Sequence, residues 1–230
     1  MKLPASMAVS KSAEGVEAMR SLTIEVFFDF VCPWCLIDKR HLDAAARKLA
    51  ELRQDVHLDV FWRSHALLPD TPEGGVPYQA FYVARLGSSE AVTRRRAQVQ
   101  QAGDTAGVQF AFDRIQVLPN TAKAHALMER ADPARQAKLV DRIFTAYFLE
   151  GKDVGDGSVL ERLALECGLQ RDVCSSPGAD ESRAGGRSPV ATCYPIQGVP
   201  FFVLDGSSAF SGAMPSETML DAILKALDAV

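Results

Sequence analysis

Two cysteines stand two residues apart in Cys32-Pro33-Trp34-Cys35. That spacing admits three chemistries: a disulfide that reacts, half of a metal site, or a structural staple. A zinc site needs three or four nitrogen or sulfur ligands at defined spacing. The chain offers no second Cys-x-x-Cys and no Cys/His pair at finger-like spacing, and His41, one and a half turns further on, cannot complete a site alone. Five cysteines (Cys32, Cys35, Cys167, Cys174, Cys193) are an odd count that does not suit a disulfide scaffold. In a reducing compartment such a close pair is more often catalytic or metal-binding than structural, so the pair reads as redox-active, with no metal.

The flanks say how the pair is held. "LTIEVFFDFV" (22–31) is β-branched and aromatic on both alternating faces, as a strand in mid-sheet would be. Pro33 suits the first position of a helix, which continues through Leu42, Ala45, Ala46, Leu49 and Leu52. Cys32 then lies at a helix N-terminus, where backbone N–H groups and the positive dipole end favour a thiolate, while Cys35 sits one turn on and better shielded. A strand follows at "VHLDVFW" (56–62), which completes a βαβ unit with a parallel pair.

From about Ser64 to about Cys174 the strand signal nearly vanishes and helical patterns take over. Helices are expected in "VPYQAFYVARLG", "SSEAVTRRRAQVQQAGDTAG", "PNTAKAHALMERA", "ARQAKLVDRIFTAYFLEGKD" and "SVLERLALECG", the last with Ser158 and Glu161 in capping-box spacing. Residues 175–192 read as a Ser/Gly/Pro loop. "VPFFVLDGSSAFSG" reads as a hairpin turning at Asp205 and Gly206, and "PSETMLDAILKALDAV" as a closing amphipathic helix through Leu220, Ile223, Leu224 and Leu227. The expected organisation is a flexible arm (1–20), a βαβ half (21–64), an inserted helical domain (65–185) and a ββα half (186–230). With Cys-x-x-Cys at the strand-to-helix junction, this is the order of an α/β, thioredoxin-like fold.

Pro200 heads the strand that follows Gly198 and Val199. A proline is tolerated there, and as a cis residue it would expose the Val199 main chain beside the cysteines, where an extended substrate could pair with it. Pro33, Trp34, Val199 and Pro200 are therefore the expected substrate-binding residues around Cys32 and Cys35.

A net charge of -4 argues against nucleic acid as the main partner, and Arg94–Arg96 reads as a solvated helix face. No apolar run is long enough to cross a bilayer, and the N-terminal segment lacks the apolar core of a secretory signal. The expectation is a cytoplasmic protein without membrane partners, monomeric or homodimeric.

The blocks "FFDFVCPWC", "LPNTAKAHAL", "FTAYFLEGKDVGD", "GVPFFVLD" and "FSGAMP", in this order over residues 22–229, resemble the DsbA-type thioredoxin-like family and, within it, its FrnE-like dithiol-disulfide oxidoreductases. The resemblance implies a thioredoxin fold with a helical insertion, Cys32 as nucleophile, Cys35 as resolving thiol and Pro200 as the cis-proline facing them. It implies protein or small-molecule disulfides as substrates and no bound cofactor, with glutathione as a candidate redox partner.

The chain departs from that pattern in places. Val26 stands where periplasmic relatives carry a glutamate, and Trp34 replaces the histidine of the strongest oxidants. Asp29 is the nearest carboxylate and could assist proton transfer, but strand alternation places it away from Phe28 and Phe30 and favours a solvated or capping residue. Pro195 and Cys193 are unusual before Pro200; Cys193 reads as inert, Cys167 as a buried core thiol, and Cys174 has no assigned role. Bridges from Cys174 to either of those two stay open. Asn120 or Thr121 is expected to cap a helix, and His125 to pack in the helical domain, with a role bordering the active-site cleft as the lesser alternative. Two rivals accompany the oxidoreductase reading: a glutathione-dependent isomerase or transferase of the kappa type, against which the intact pair counts, and a chaperone-like or zinc-binding module.

Overall fold

The structure, a computed structural model, describes residues 19–170 and 196–228. Strand β1 (Arg20–Phe28) runs straight into the turn that carries the cysteines, and α1 (Pro33–Leu52) leaves that turn with Cys32 as its N-cap and Pro33 in its first turn. Strand β2 (Val56–Ser64) returns parallel to β1, in a register from Arg20 opposite Val56 to Phe28 opposite Ser64. β1 is shorter than the apolar run suggested. It stops at Phe28 because the chain turns at Asp29, whose carbonyl accepts the Cys32 N–H at 3.0 Å.

Among the described residues, five helices lie between β2 and the next strand of the main sheet: α2 (Tyr78–Leu86), α3 (Ser89–Thr105), α4 (Ala122–Arg130), α5 (Pro133–Phe148) and α6 (Gly157–Glu166). The sequence pattern also hid a small antiparallel ladder there, β3 (Val76–Pro77) with β4 (Val117–Leu118). Two-residue strands carry no periodicity to read. The α6 cap differs from expectation as well: Asp156, not Ser158, accepts a hydrogen bond from the Ser158 N–H at 2.7 Å, so the helix starts one residue before Ser158. On α5 the apolar face of Leu139, Ile143, Phe144, Tyr147 and Phe148 turns inward, and Phe144 and Tyr147 are fully buried. Each such side chain contributes roughly 2–3 kcal/mol over leaving it exposed.

β5 (Phe201–Leu204) pairs antiparallel with β1, and β6 (Ser208–Ser211) antiparallel with β5, giving the order β2-β1-β5-β6. The hairpin turns through Asp205 (φ 47°) and Gly206 (φ 68°), a left-handed pair that Asp and Gly tolerate best. The closing helix α7 (Ser216–Asp228) buries Met219, Ile223 and Leu227 and packs along α1; Leu220 and Leu224 flank that face half-buried. One contiguous core joins the sheet, α1, α7 and the helices of the insertion. Among the described residues no helix is long and apolar enough to cross a membrane. The expected arm up to residue 18, the 175–192 loop, Cys174, Cys193 and Pro195 lie outside the described residues.

Where α1 meets the segment leading into α7, Asp38 is fully buried. One oxygen accepts the Met214 N–H at 3.1 Å, His41 Nδ1 lies 3.7 Å from that same oxygen, and the second oxygen has no donor among the described residues. Burial pushes its carboxyl up from 3.8 to about 7, only partly offset by the Met214 bond. A carboxyl whose folded value is raised favours the folded state only while protonated. Its contribution is therefore complete below the unfolded value near 3.8 and is lost as pH climbs through about 7. Asp38→Asn is expected to be more stable than the parent at pH 8 by roughly 2 kcal/mol. The gain should vanish on chemical denaturation near pH 4; equal gains at both pH values would contradict this assignment.

Candidate active site

The sheet register decides which groups meet. β1 ends at Phe28, and Phe27 pairs with Phe201 at the start of β5, so the segment before Phe201 lies at the same end of the sheet as Cys32. The Val199–Pro200 bond is cis, as expected, and the Cys32 thiol donates to the Val199 carbonyl across 3.6 Å. Cys35, one turn into α1, contacts Cys32 from behind. Both are free thiols in this state.

The two sulfurs differ in surroundings. Cys32 lines a cleft of about 510 Å³, whereas Cys35 is closed off beneath it. Burial, then the hydrogen bond and negative charge of Cys32, push the Cys35 thiol well above the ordinary range, and the Asp29 backbone N–H offsets this only in part. Cys35 is thus held as a proton-bearing thiol behind Cys32. Cys167, at the end of α6, is buried as expected, and burial raises its thiol too.

The cleft wall is built largely from the insertion. Pro33 and Trp34 form its motif side, and Leu67, Tyr78 and Tyr82 its apolar side. Arg85 of α2 and Arg95 and Arg96 of α3 supply positive charge. Trp34 is half-buried, with the Arg95 guanidinium 5.6 Å above its ring. Arg96 lies over Tyr78 at 5.2 Å and Phe112 at 5.8 Å. The basic run on α3 is therefore not simply a solvated face: two of its three arginines border the cleft. Only its position opposite α1, a tertiary fact, distinguishes it from any charged helix surface. A second hollow of about 400 Å³ runs along Gly198–Phe201 and Ser211–Gly212, on the far side of Pro200.

Asp29 overturns the expectation of a solvated carboxylate. It is fully buried, and its carboxylate accepts the Leu67 N–H at 2.7 Å and a hydrogen bond from His125 Nε2 at 3.2 Å, with the Thr121 side chain also in hydrogen-bond contact. Burial works to raise it, but the His125 bond and charge and the other donors prevail and hold it below the ordinary value. Strand alternation failed here because the strand has already ended. His125 sits on α4 within the insertion, as expected, yet it reaches the motif turn and packs on Phe28 and Phe30. Thr121 is the N-cap of α4 but makes no side-chain capping bond; Asn120, one residue earlier, accepts the Ala122 N–H on its Oδ1 at 2.9 Å. Val26 lies buried in mid-sheet between Trp62 and Phe202, with no acid in its place. Among the described residues no group of three or more His, Cys, Asp or Glu could hold a metal ion.

A family model for the DSBA-like thioredoxin domain matches residues 23–224, nearly the whole chain. The protein belongs to the DsbA-like thioredoxin family. A probable DsbA oxidoreductase from Streptomyces coelicolor superposes with a TM-score of 0.79 at 28% identity, over 91% of each chain. The cytosolic disulfide reductase DsbM from Pseudomonas aeruginosa, solved also with GSH, gives 0.64 at 21% identity over 90% of this chain and 100% of its own. A 2-hydroxychromene-2-carboxylate isomerase gives 0.62 at 18% identity over 90% and 96%. The last two share the fold with this DsbA-like chain.

Alkylation at neutral pH, mapped by mass spectrometry, should mark Cys32 before Cys35 and Cys167, because only Cys32 opens on the cleft while burial keeps the other two protonated. Equal labelling of all three would contradict this ordering.

Proposed function

We propose that the protein is a thiol-disulfide oxidoreductase of the FrnE-like branch, working through a mixed disulfide on Cys32. The observation that carries the reading is the asymmetric dithiol: Cys32 Sγ at the cleft, 3.6 Å from the Val199 carbonyl, with a protonated Cys35 directly behind it.

In the reducing direction the Cys32 thiolate attacks one sulfur of a substrate disulfide. The S–S bond breaks, the Cys32–substrate disulfide forms, and the other substrate sulfur leaves as a thiolate that takes up a proton. Cys35 then gives up its proton and attacks Cys32 Sγ, closing the Cys32–Cys35 disulfide and releasing the second substrate thiol. Two electrons pass to the substrate, and the oxidising direction runs through the same steps backwards. The order suits the burial of Cys35, which stays a thiol until the mixed disulfide has formed.

Trp34, Tyr78, Tyr82 and Leu67 offer apolar contact next to Cys32, while Arg85, Arg95 and Arg96 attract carboxylates. Such a wall suits a carboxylate-bearing thiol or disulfide, with glutathione as redox partner. Pro33, Val199 and Pro200 border the reacting sulfur and would orient a bound segment. The uneven cysteine count suits a reducing, cytoplasmic setting.

The same arginine-lined cleft also favours a second reading, a glutathione-dependent transferase or isomerase of the kappa type. The two part at Cys35, which that chemistry does not use.

Insulin-disulfide reduction driven by dithiothreitol should be catalysed by the wild type and abolished in Cys32→Ser, while Cys35→Ser should accumulate a mixed disulfide through Cys32. Equal turbidity curves for wild type and Cys32→Ser would sink the oxidoreductase reading. Full activity on a glutathione-dependent isomerisation in Cys35→Ser would favour the rival.

A further inference from the structure

The cleft beside Cys32 carries a sign opposite to that of the chain. The net charge is -4, yet among the described residues the cleft is lined by Arg85, Arg95 and Arg96 and by no carboxylate. The three arginines are held differently. Arg96 is committed: its Nη2 donates to Gln79 at 2.7 Å, its Nη1 lies 3.5 Å from Asp113, and Tyr78 and Phe112 pack on its guanidinium. Arg85 is exposed, over Phe81 at 6.0 Å. Arg95 is exposed and lies 5.6 Å above Trp34, a residue of the cysteine motif itself. Its one polar contact among the described residues is a long hydrogen bond to Gln98 at 3.4 Å, and no carboxylate pairs with it. A guanidinium over a ring is engaged through its face and keeps the donors on its edge for a carboxylate in its plane. The cleft, about 510 Å³, has the size of a small-molecule site.

We propose that Arg95 is a specificity-determining residue: set over Trp34, it receives a carboxylate on the substrate arm that becomes bonded to Cys32, so the site selects small anionic disulfides over neutral and cationic ones. The inference rests on the oxidoreductase reading and deepens it by naming the charge of the substrate and the residue that reads it. The Cys32 thiolate attacks the sulfur of the arm in the cleft, the S–S bond breaks, and the other arm leaves as a thiolate that takes up a proton. Cys35 then closes the protein disulfide and frees the anionic thiol. Arg94, next to Arg95 on α3, is exposed but does not line the cleft, so it carries the same charge without the placement.

The first test needs no disulfide. Iodoacetate and iodoacetamide are close in size and both alkylate the thiolate, so the ratio of their rates at Cys32 cancels any change in how much thiolate is present and reads charge selection alone. With the full chain, and Cys32 followed by mass spectrometry, Arg95→Gln should lower the iodoacetate-to-iodoacetamide ratio roughly threefold, the scale of one exposed ion pair, and added salt should shrink that difference. Arg95→Lys should restore most of the ratio, and Arg94→Gln should leave it at the wild-type value. The second test oxidises the reduced protein with dithiodipropionate, hydroxyethyl disulfide or cystamine, whose two-carbon arms end in a carboxylate, a hydroxyl or an amine. Relative to hydroxyethyl disulfide, Arg95→Gln should slow oxidation by dithiodipropionate and speed oxidation by cystamine, through the concentration dependence rather than the limiting rate. An unchanged alkylation ratio in Arg95→Gln, or an equal fall in Arg94→Gln, would overturn the proposal. So would oxidation by the three disulfides at relative rates that Arg95→Gln does not move, an outcome that leaves the oxidoreductase reading standing. A wild type that alkylates selectively through Arg95 but is oxidised by none of the three would keep the anion selection and remove the oxidoreductase reading.

Discussion

β1 stops pairing at Phe28, and its two neighbours reach that point from opposite directions. Parallel pairing brings β2 to its own end there, so the insertion must begin beside the turn. Antiparallel pairing brings β5 to its start, so Val199 and Pro200 come in across the same turn. α1 springs from the turn itself. The cysteines, the cis-proline segment and the first residues of the insertion therefore converge at one end of the sheet, although Val199 and Pro200 come from the far end of the chain. A shift of one residue in the β1–β5 register would turn Phe202 out of the core and carry Val199 away from Cys32.

Two buried aspartates near the start of α1 show how far local donors decide the state of an acid. Asp29 is matched by three donors and sits below the ordinary value; Asp38 has one firm donor and is driven to about 7. Both are removed from solvent, so burial alone does not separate them. The count and direction of neighbouring N–H and O–H groups do. Near the dithiol this matters because Val26 and Trp34 occupy positions where an acid and an imidazole could otherwise have acted. A carboxylate beside the cysteines is supplied instead by Asp29 in the turn.

The βαβ and ββα halves could be read from sequence because each rests on local signals: the alternation in β1 and β2, Pro33 at the helix start, Asp205-Gly206 at the hairpin, and the apolar stripe of α5. Pro200 opposite Cys32 followed from the order of those elements. The residues that escaped are those whose role depends on chain far away. Asp29 looks solvated until Leu67, Thr121 and His125 close over it. Arg95 and Arg96 look like any charged helix face until α3 lies beside the motif. The β3–β4 ladder is too short to leave a pattern, and Asp156 displaced Ser158 as a cap because two capping residues stand on either side of Gly157 and each could have served.

The central claim is that Cys32 and Cys35 form a reversible dithiol-disulfide couple. It is tested most directly by equilibrating the protein across glutathione redox buffers, quenching with acid, alkylating, and mapping the cysteines by mass spectrometry. The account predicts a two-electron transition in which Cys32 and Cys35 lose their free thiols together and are recovered as one linked peptide, while Cys167 stays alkylated throughout. A pair that remains as two free thiols across the whole range, or that oxidises only through other cysteines, would contradict it.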